Sequence, residues 1–178
     1  TSSGSNWALS TGLLNITNAG GGTNTLIANN STITLTGTSG AIFTRAGTFT
    51  QGGSTVIFNG NADLATLTSG TITFNNLTLS PAVTAARAYT FGAGAITVAG
   101  AFNIQPTANA FLLNVKHGSG GISVTGATTI QPTTATALLT TTSSNYAFST
   151  GSLSVQNGGT FTGNATTTIT VSGAVTIA

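Results

Sequence analysis

Short apolar pairs recur along the whole chain in one spacing pattern. Two apolar residues are separated by a single residue, and a Gly or Asn follows two positions after the second. The stretch Ile96, Thr97, Val98, Ala99, Gly100 is an example. Alternation with period two is typical of strands that bury one side, and Gly and Asn are common at turns. The pattern therefore predicts a short strand that ends at a corner.

The pattern occurs eight times. The apolar pairs that we expect to point inward are Leu14/Ile16, Ile33/Leu35, Val56/Phe58, Ile72/Phe74, Ile96/Val98, Ile122/Val124, Leu153/Val155 and Ile169/Val171. The predicted corners are Asn18, Gly37, Gly60, Asn76, Gly100, Gly126, Asn157 and Gly173. We expect positive φ at these corners, because Gly and Asn tolerate it. The residue between each pair should form an outward ladder, and it is small and polar everywhere except at Ile57.

The spacing of the repeats predicts a coiled architecture. Successive repeats are about 22 residues apart on average, within the range typical of solenoids. The segment G-A-F-N-I-Q-P at residues 100–106 returns 26 residues later as G-A-T-T-I-Q-P. One turn should therefore contain about 26 residues and at least two strands joined at the Gly corner. No ten-residue window has the period of a helix.

These observations predict a single all-β domain over residues 1–178, with residues 1–5 as a flexible start. The expected fold is a β-solenoid (parallel β-helix) of about eight short rungs. Matching apolar residues should stack from rung to rung at the strand spacing of about 4.8 Å. The alternative is an antiparallel β-sandwich with donor-strand exchange, in which a terminal strand completes a neighbouring molecule.

Residues 47–79 carry two longer motifs. The first begins with G-T-F-T and ends with S-T-V-I-F-N-G at residue 60, and the second is I-T-F-N-N-L-T-L at residues 72–79. This stretch resembles the repeats of large secreted surface proteins of bacteria. The resemblance implies an extracellular β-solenoid on or beyond the cell surface.

The chain has almost no charge. Only 2% of its residues are charged, where about 25% is usual. Net charge keeps copies of a protein apart, so a chain with +2 has little that opposes association. The three cations are scattered, which argues against nucleic-acid binding. No apolar run reaches the length of a membrane-spanning helix.

The groups that catalysis requires are scarce. The single carboxyl side chain, Asp63, provides neither the acid–base pair of a glycosidase nor a carboxylate cage for Ca²⁺. The lone His117 supplies at most one metal ligand. A Ser/His dyad in the segment K-H-G-S-G-G is conceivable, but a turn between strands accounts for that segment. We expect no enzyme activity, no metal and no cofactor.

We expect the chain to be a structural, non-catalytic subunit that assembles head to tail into an extracellular filament or surface layer. The two segments around Trp7 and Tyr146 have similar sequences, and solenoid ends without a cap expose strand edges and apolar stacks. The predicted assembly interface contains Trp7, Leu9, Tyr146, Phe148, Ile169, Val171 and Ile177. The alternatives are a stalk or adhesin segment of a larger secreted surface protein and an ice-binding Thr-ladder protein. The candidate glycan sites are Asn15, Asn29, Asn30, Asn76 and Asn164.

Overall fold

The computed structural model describes residues 6–18, 20–63, 66–68, 70–108, 110–140, 147–163 and 167–178. These ranges contain twenty β-strands and no helix. The strands are β1 (Ala8–Thr11), β2 (Leu14–Ile16), β3 (Thr25–Ile27), β4 (Thr32–Leu35), β5 (Ala41–Arg45), β6 (Thr48–Thr50), β7 (Thr55–Phe58), β8 (Thr66–Thr68), β9 (Ile72–Phe74), β10 (Asn76–Leu79), β11 (Arg87–Thr90), β12 (Ile96–Val98), β13 (Phe102–Ile104), β14 (Leu112–Lys116), β15 (Ile122–Ile130), β16 (Thr136–Thr140), β17 (Phe148–Val155), β18 (Gly159–Thr162), β19 (Ile169–Val171) and β20 (Val175–Ile177).

The strands wind into a parallel β-solenoid with three faces per turn. The first face stacks β1, β4, β7, β10, β13, the second halves of β15 and β17, and β20. The second face carries β2, β5, β8, β11, β14, β16 and β18. The third face carries β3, β6, β9, β12, the first halves of β15 and β17, and β19. Within the described ranges, ladder pairing is interrupted between β8 and β11 and between β6 and β9.

Every strand pairing in the described ranges is parallel, which confirms the solenoid and rules out the antiparallel sandwich. The eight strands of the first face and seven on each other face correspond to six to seven turns. This is slightly fewer than the eight rungs expected. Phe102 lies opposite Thr128, so the 26-residue repeat is one turn, as predicted.

The core is a set of inward columns in which apolar residues stack from turn to turn. Of the eight predicted apolar pairs, six are buried in full, and the exceptions belong to the terminal turns. The rings of Phe43, Phe49 and Phe58 surround Phe74, and their centroids are 5.5, 6.3 and 6.4 Å from that of Phe74. Burial of each such side chain contributes about 1.5–3 kcal/mol. Stacking of similar residues is therefore the main source of stability.

A pair of threonines lies within the apolar columns. Thr128 lies in an inward column of the first face and is fully buried. Its hydroxyl oxygen is 2.9 Å from that of Thr150, which lies on an inward column of the third face. The Thr150 hydroxyl is also 2.8 Å from the carbonyl oxygen of Ser152. Both buried hydroxyls therefore have a hydrogen-bond partner, which avoids the cost of desolvating them unpaired.

The eight sequence repeats do not lie on one face. Leu14 is on the second face, Ile33 and Val56 are on the first, and Ile72 and Ile96 are on the third. The expected single outward ladder is therefore wrong. A continuous hydroxyl ladder runs instead along the third face, through Thr73, Thr97, Ser123, Ser149 and Thr170.

The described residues form no helix with the length and hydrophobicity that crossing a bilayer requires.

Candidate functional site

The predicted corner glycines lie where successive turns approach each other closely. Gly37 and Gly60 stack between the first and second faces, and Gly100, Gly126 and Gly173 lie between the third and first. A Cβ atom on Gly60 would be closer than 3.0 Å to the carbonyl oxygen of Gly37, and one on Gly126 would be similarly close to that of Gly100. These corners need glycine because a side chain has no room there.

The expectation of positive φ is wrong for all eight corner residues. Among non-glycine residues it occurs at other positions, such as Asn29 with φ 50°. Two corner asparagines hold adjacent turns together through their side chains. The Asn18 Nδ2 donates to the carbonyl oxygen of Ala46 at 2.8 Å, and the Asn76 Oδ1 accepts from the amide of Ala101 at 3.0 Å. Asn18 and Asn76 therefore act through hydrogen bonds between turns.

The N-terminal end of the described coil is formed by β1, β2 and β3. Each of these strands pairs with one neighbour, so one edge of each is free in the described structure. Trp7 and Leu9 are half-buried and pack against the core. The Trp7 amide donates to Ser31 Oγ at 3.0 Å, and the Thr32 amide donates to the Trp7 carbonyl oxygen at 3.2 Å. Trp7 and Leu9 thus belong to this end surface.

The opposite end is formed by β18, β19 and β20. Ile169, Val175 and Ile177 are 39%, 56% and 80% exposed, although their register places them in inward columns. No further described strand covers them. Val171 is half-buried beside them. Val175 was missed by the pattern of apolar pairs, and the signal that could have found it is the segment G-A-V-T-I at residues 173–177, which repeats G-A-T-T-I at residues 126–130.

Phe148 does not belong to either end surface. It is fully buried, and its ring centroid is 5.2 Å from that of Phe161. The expectation that Phe148 contributes to an interface is therefore wrong, and Tyr146 lies outside the described residues. Leu9 and Phe148 occupy matching positions in the two similar segments, yet they lie on the first and third faces. The similarity of the segments does not mark equivalent positions in the coil.

His117 is buried in the turn that follows β14. It is 3% exposed, and its Nδ1 is 3.1 Å from the carbonyl oxygen of Gly118. Burial lowers the pKa of His117 below its ordinary value of 6.5, and the hydrogen bond with Gly118 opposes this more weakly. The Ser119 hydroxyl in the same turn donates to the carbonyl oxygen of Ala93 at 3.2 Å. Its proton is therefore directed to the backbone of the preceding turn.

A second group of ionisable side chains joins the turns near β11. The Asp63 Oδ1 accepts a hydrogen bond from a backbone amide of β11 at 2.9 Å, and the Arg87 Nε donates to the Asn61 Oδ1 at 3.0 Å. The Tyr89 hydroxyl donates to the carbonyl oxygen of Gly60. Burial raises the pKa of Tyr89 well above 10.0, and the charge of Arg87 lowers it by less. These contacts hold the coil together.

The five candidate glycan sites differ in accessibility. Asn15 and Asn30 are exposed, and the Asn15 Oδ1 accepts a hydrogen bond from a threonine of β5 at 2.6 Å. Asn29 is half-buried with positive φ. Asn76 is half-buried and bonded to the next turn, whereas Asn164 lies outside the described residues.

An open cleft of about 510 Å³ lies at the corner between the first and second faces. Its lining is uncharged and consists of Ser80, Gln105, Thr107, Gln131, Pro132 and Thr133. Pro81, Pro106 and Pro132 are buried at this corner in three successive turns. The sequence repeat Q-P-T identified the corner but gave no sign of a cleft.

Comparison with known proteins adds no relative: no protein-family model, curated protein or solved structure matches the chain.

Proposed function

We propose that the chain is a structural, non-catalytic subunit that assembles end to end into an extracellular filament or surface layer. The observation that carries this proposal is β20. Val175 and Ile177 continue two inward columns of the first face, yet they are 56% and 80% exposed. Covering apolar surface contributes about 25 cal/mol per Å². A further parallel strand on β20 would gain this energy and satisfy the free backbone edge.

A second copy offers the matching strand at its N-terminal end. Leu9 and Thr11 of β1 begin the same two inward columns that Val175 and Ile177 end. Stacking β1 of one copy on β20 of another would continue the first-face sheet with parallel strands. The first face has one strand more than either other face, so β20 projects and the contact is centred there. Such a head-to-tail contact repeats without closing.

Electrostatic repulsion between the two ends is small. The charged side chains are Arg45, Asp63, Arg87 and Lys116, and none lies on β1 or β20. Charge far from the contact is further screened at physiological salt. The resemblance of residues 47–79 to secreted surface proteins supports a location outside the cell. The low charge near the two ends and the resemblance of residues 47–79 both support the proposal, and neither requires a catalytic group.

Electron microscopy and light scattering of the purified chain test the proposal. We expect filaments of uniform width whose length increases with concentration. Ile177→Lys places a charge in the contact and should leave single particles. Thr176→Lys is the matched control, because Thr176 lies on the same strand and points outward. It adds the same charge and should leave filaments intact.

A monodisperse population of single particles in the unsubstituted chain, at every concentration, would overturn the proposal. That result would favour the stalk or adhesin segment of a larger secreted protein. Equal loss of filaments in Ile177→Lys and Thr176→Lys would show that added charge, rather than the apolar end, controls assembly.

A further inference from the structure

We propose that the cleft at the corner of the first and second faces binds a neutral oligosaccharide. Successive turns of the coil build its walls. Ser80, Gln105 and Gln131 follow directly after first-face strands in three consecutive turns, and Thr107 and Thr133 lie two residues beyond the glutamines. The cleft lies on the side of the coil, so the proposal is independent of end-to-end assembly.

The backbone around the cleft is held rigidly. The amide of Gln105 donates to the carbonyl oxygen of Leu79, and that of Gln131 donates to the carbonyl oxygen of Ile104, both at 2.9 Å. Pro106, which follows Gln105 directly and is buried, has a fixed φ. A rigid site loses little conformational entropy when a ligand binds. The corner is therefore preorganised.

The side-chain amides of the cleft are free to bind a ligand. Gln105 is half-buried and Gln131 is exposed, and neither side chain has a hydrogen-bond partner among the described residues. Each amide offers one acceptor oxygen and two donor hydrogens, and the hydroxyls of Ser80, Thr107 and Thr133 both donate and accept. Sugar hydroxyls also donate and accept, so they match this mixed lining.

The lining argues against two other ligand classes. Phosphate and nucleic-acid sites depend on Lys and Arg, and the cleft contains no charged side chain. Sites for apolar ligands are lined mainly by hydrophobic side chains, and Pro132 is the one apolar residue here. Gln105 and Gln131 repeat on adjacent turns, which are about 4.8 Å apart. This repetition suits a chain of hydroxyl-bearing units that lies along the coil.

Isothermal titration calorimetry with a panel of neutral hexasaccharides tests the proposal on the full chain. The panel contains cellohexaose, maltohexaose, mannohexaose and chitohexaose, with hexagalacturonate as the charged comparison. We expect saturable binding of at least one neutral sugar with Kd below about 1 mM. The double variant Gln105→Ala/Gln131→Ala should weaken binding about tenfold, as expected for the loss of two hydrogen bonds.

Gln51→Ala is the matched control. Gln51 follows β6 at the corner between the third and first faces, so it lies outside the cleft lining. Its replacement should leave the affinity unchanged. Gln131→Glu keeps the side-chain length and should weaken binding, and unchanged melting curves would establish that each variant is folded. Absence of saturable binding, binding that the double variant leaves intact, or equal binding of hexagalacturonate would each overturn the proposal.

Discussion

Replacing a single corner glycine tests how closely the turns of the coil are stacked. In Gly60→Ala, the new methyl group would be closer than 3.0 Å to the carbonyl oxygen of Gly37 one turn earlier. That oxygen belongs to stacked backbone, so it cannot move aside as a flexible side chain can. Gly12→Ala is the matched control, because a Cβ at Gly12 meets nothing within 4 Å and its φ is not positive.

The two substitutions should have opposite effects on the free energy of unfolding. Forcing an extra methyl group into closely packed surroundings costs about 1–3 kcal/mol. At Gly60 the methyl group would clash with backbone, so we expect a cost in the upper part of this range. Alanine also restricts the conformations of the unfolded chain, and this stabilises the folded protein by about 0.4–1 kcal/mol. We therefore expect Gly60→Ala to lose about 2 kcal/mol. For a chain of this length, this lowers Tm by about 4–8 °C.

Thermal melts followed by circular dichroism measure both variants. Gly12→Ala should melt at or slightly above the temperature of the unsubstituted protein, because the alanine restricts the unfolded chain and causes no clash in the folded one. Urea titrations give the free energies independently. Equal melting temperatures for the two variants, or a Gly60→Ala protein as stable as the original, would refute the close stacking of these corners.

Three further predictions concern buried groups, each measured by urea unfolding. Stability should fall as the pH drops below 6.5, because burial lowers the pKa of His117 and the unfolded chain binds the proton better; His117→Gln should remove this slope, and an unchanged slope would contradict it. Thr150→Val should cost about 1–3 kcal/mol because it leaves the buried Thr128 hydroxyl unpaired. Thr128→Val should cost less, since the Thr150 hydroxyl keeps its hydrogen bond to the carbonyl oxygen of Ser152. A larger loss of stability in Thr128→Val than in Thr150→Val would refute this. Phe74→Ala should cost about 3–5 kcal/mol, and a loss below 1 kcal/mol would argue against the aromatic cluster.

The parallel coil could be predicted because its signal is local and repeated. Alternation within a strand fixes which side chains point inward, as for Ile33 and Leu35, and both are buried. The 26-residue repeat fixes one turn length, as the pairing of Phe102 with Thr128 confirms. The solenoid class follows from these two facts.

The assignment of strands to faces could not be predicted, because strands on all three faces share the same local pattern. Ile33 and Ile72 look alike in sequence, yet they lie on the first and third faces. The face depends on how many residues each corner uses, and these numbers vary. For the same reason the sequence predicted an interface role for Phe148, which is buried one turn before the end.

The conformation of the corners was also beyond the sequence. Gly and Asn tolerate positive φ, but they also suit places where backbones approach closely or where a short amide can bond. Gly126 lies where two backbones approach closely, and the side-chain amide of Asn76 forms a hydrogen bond with the next turn. Composition alone does not separate these roles, because the deciding contact is with a residue one turn away.

Cryo-electron microscopy of the assembled chain tests the central claim most directly. If the first-face sheet runs from β20 of one copy into β1 of the next, each copy adds eight strands to it. The filament should then have an axial subunit repeat of about 38 Å, with strands about 4.8 Å apart and perpendicular to its axis. Solitary particles, or filaments in which copies pack side by side with β20 uncovered, would contradict the account.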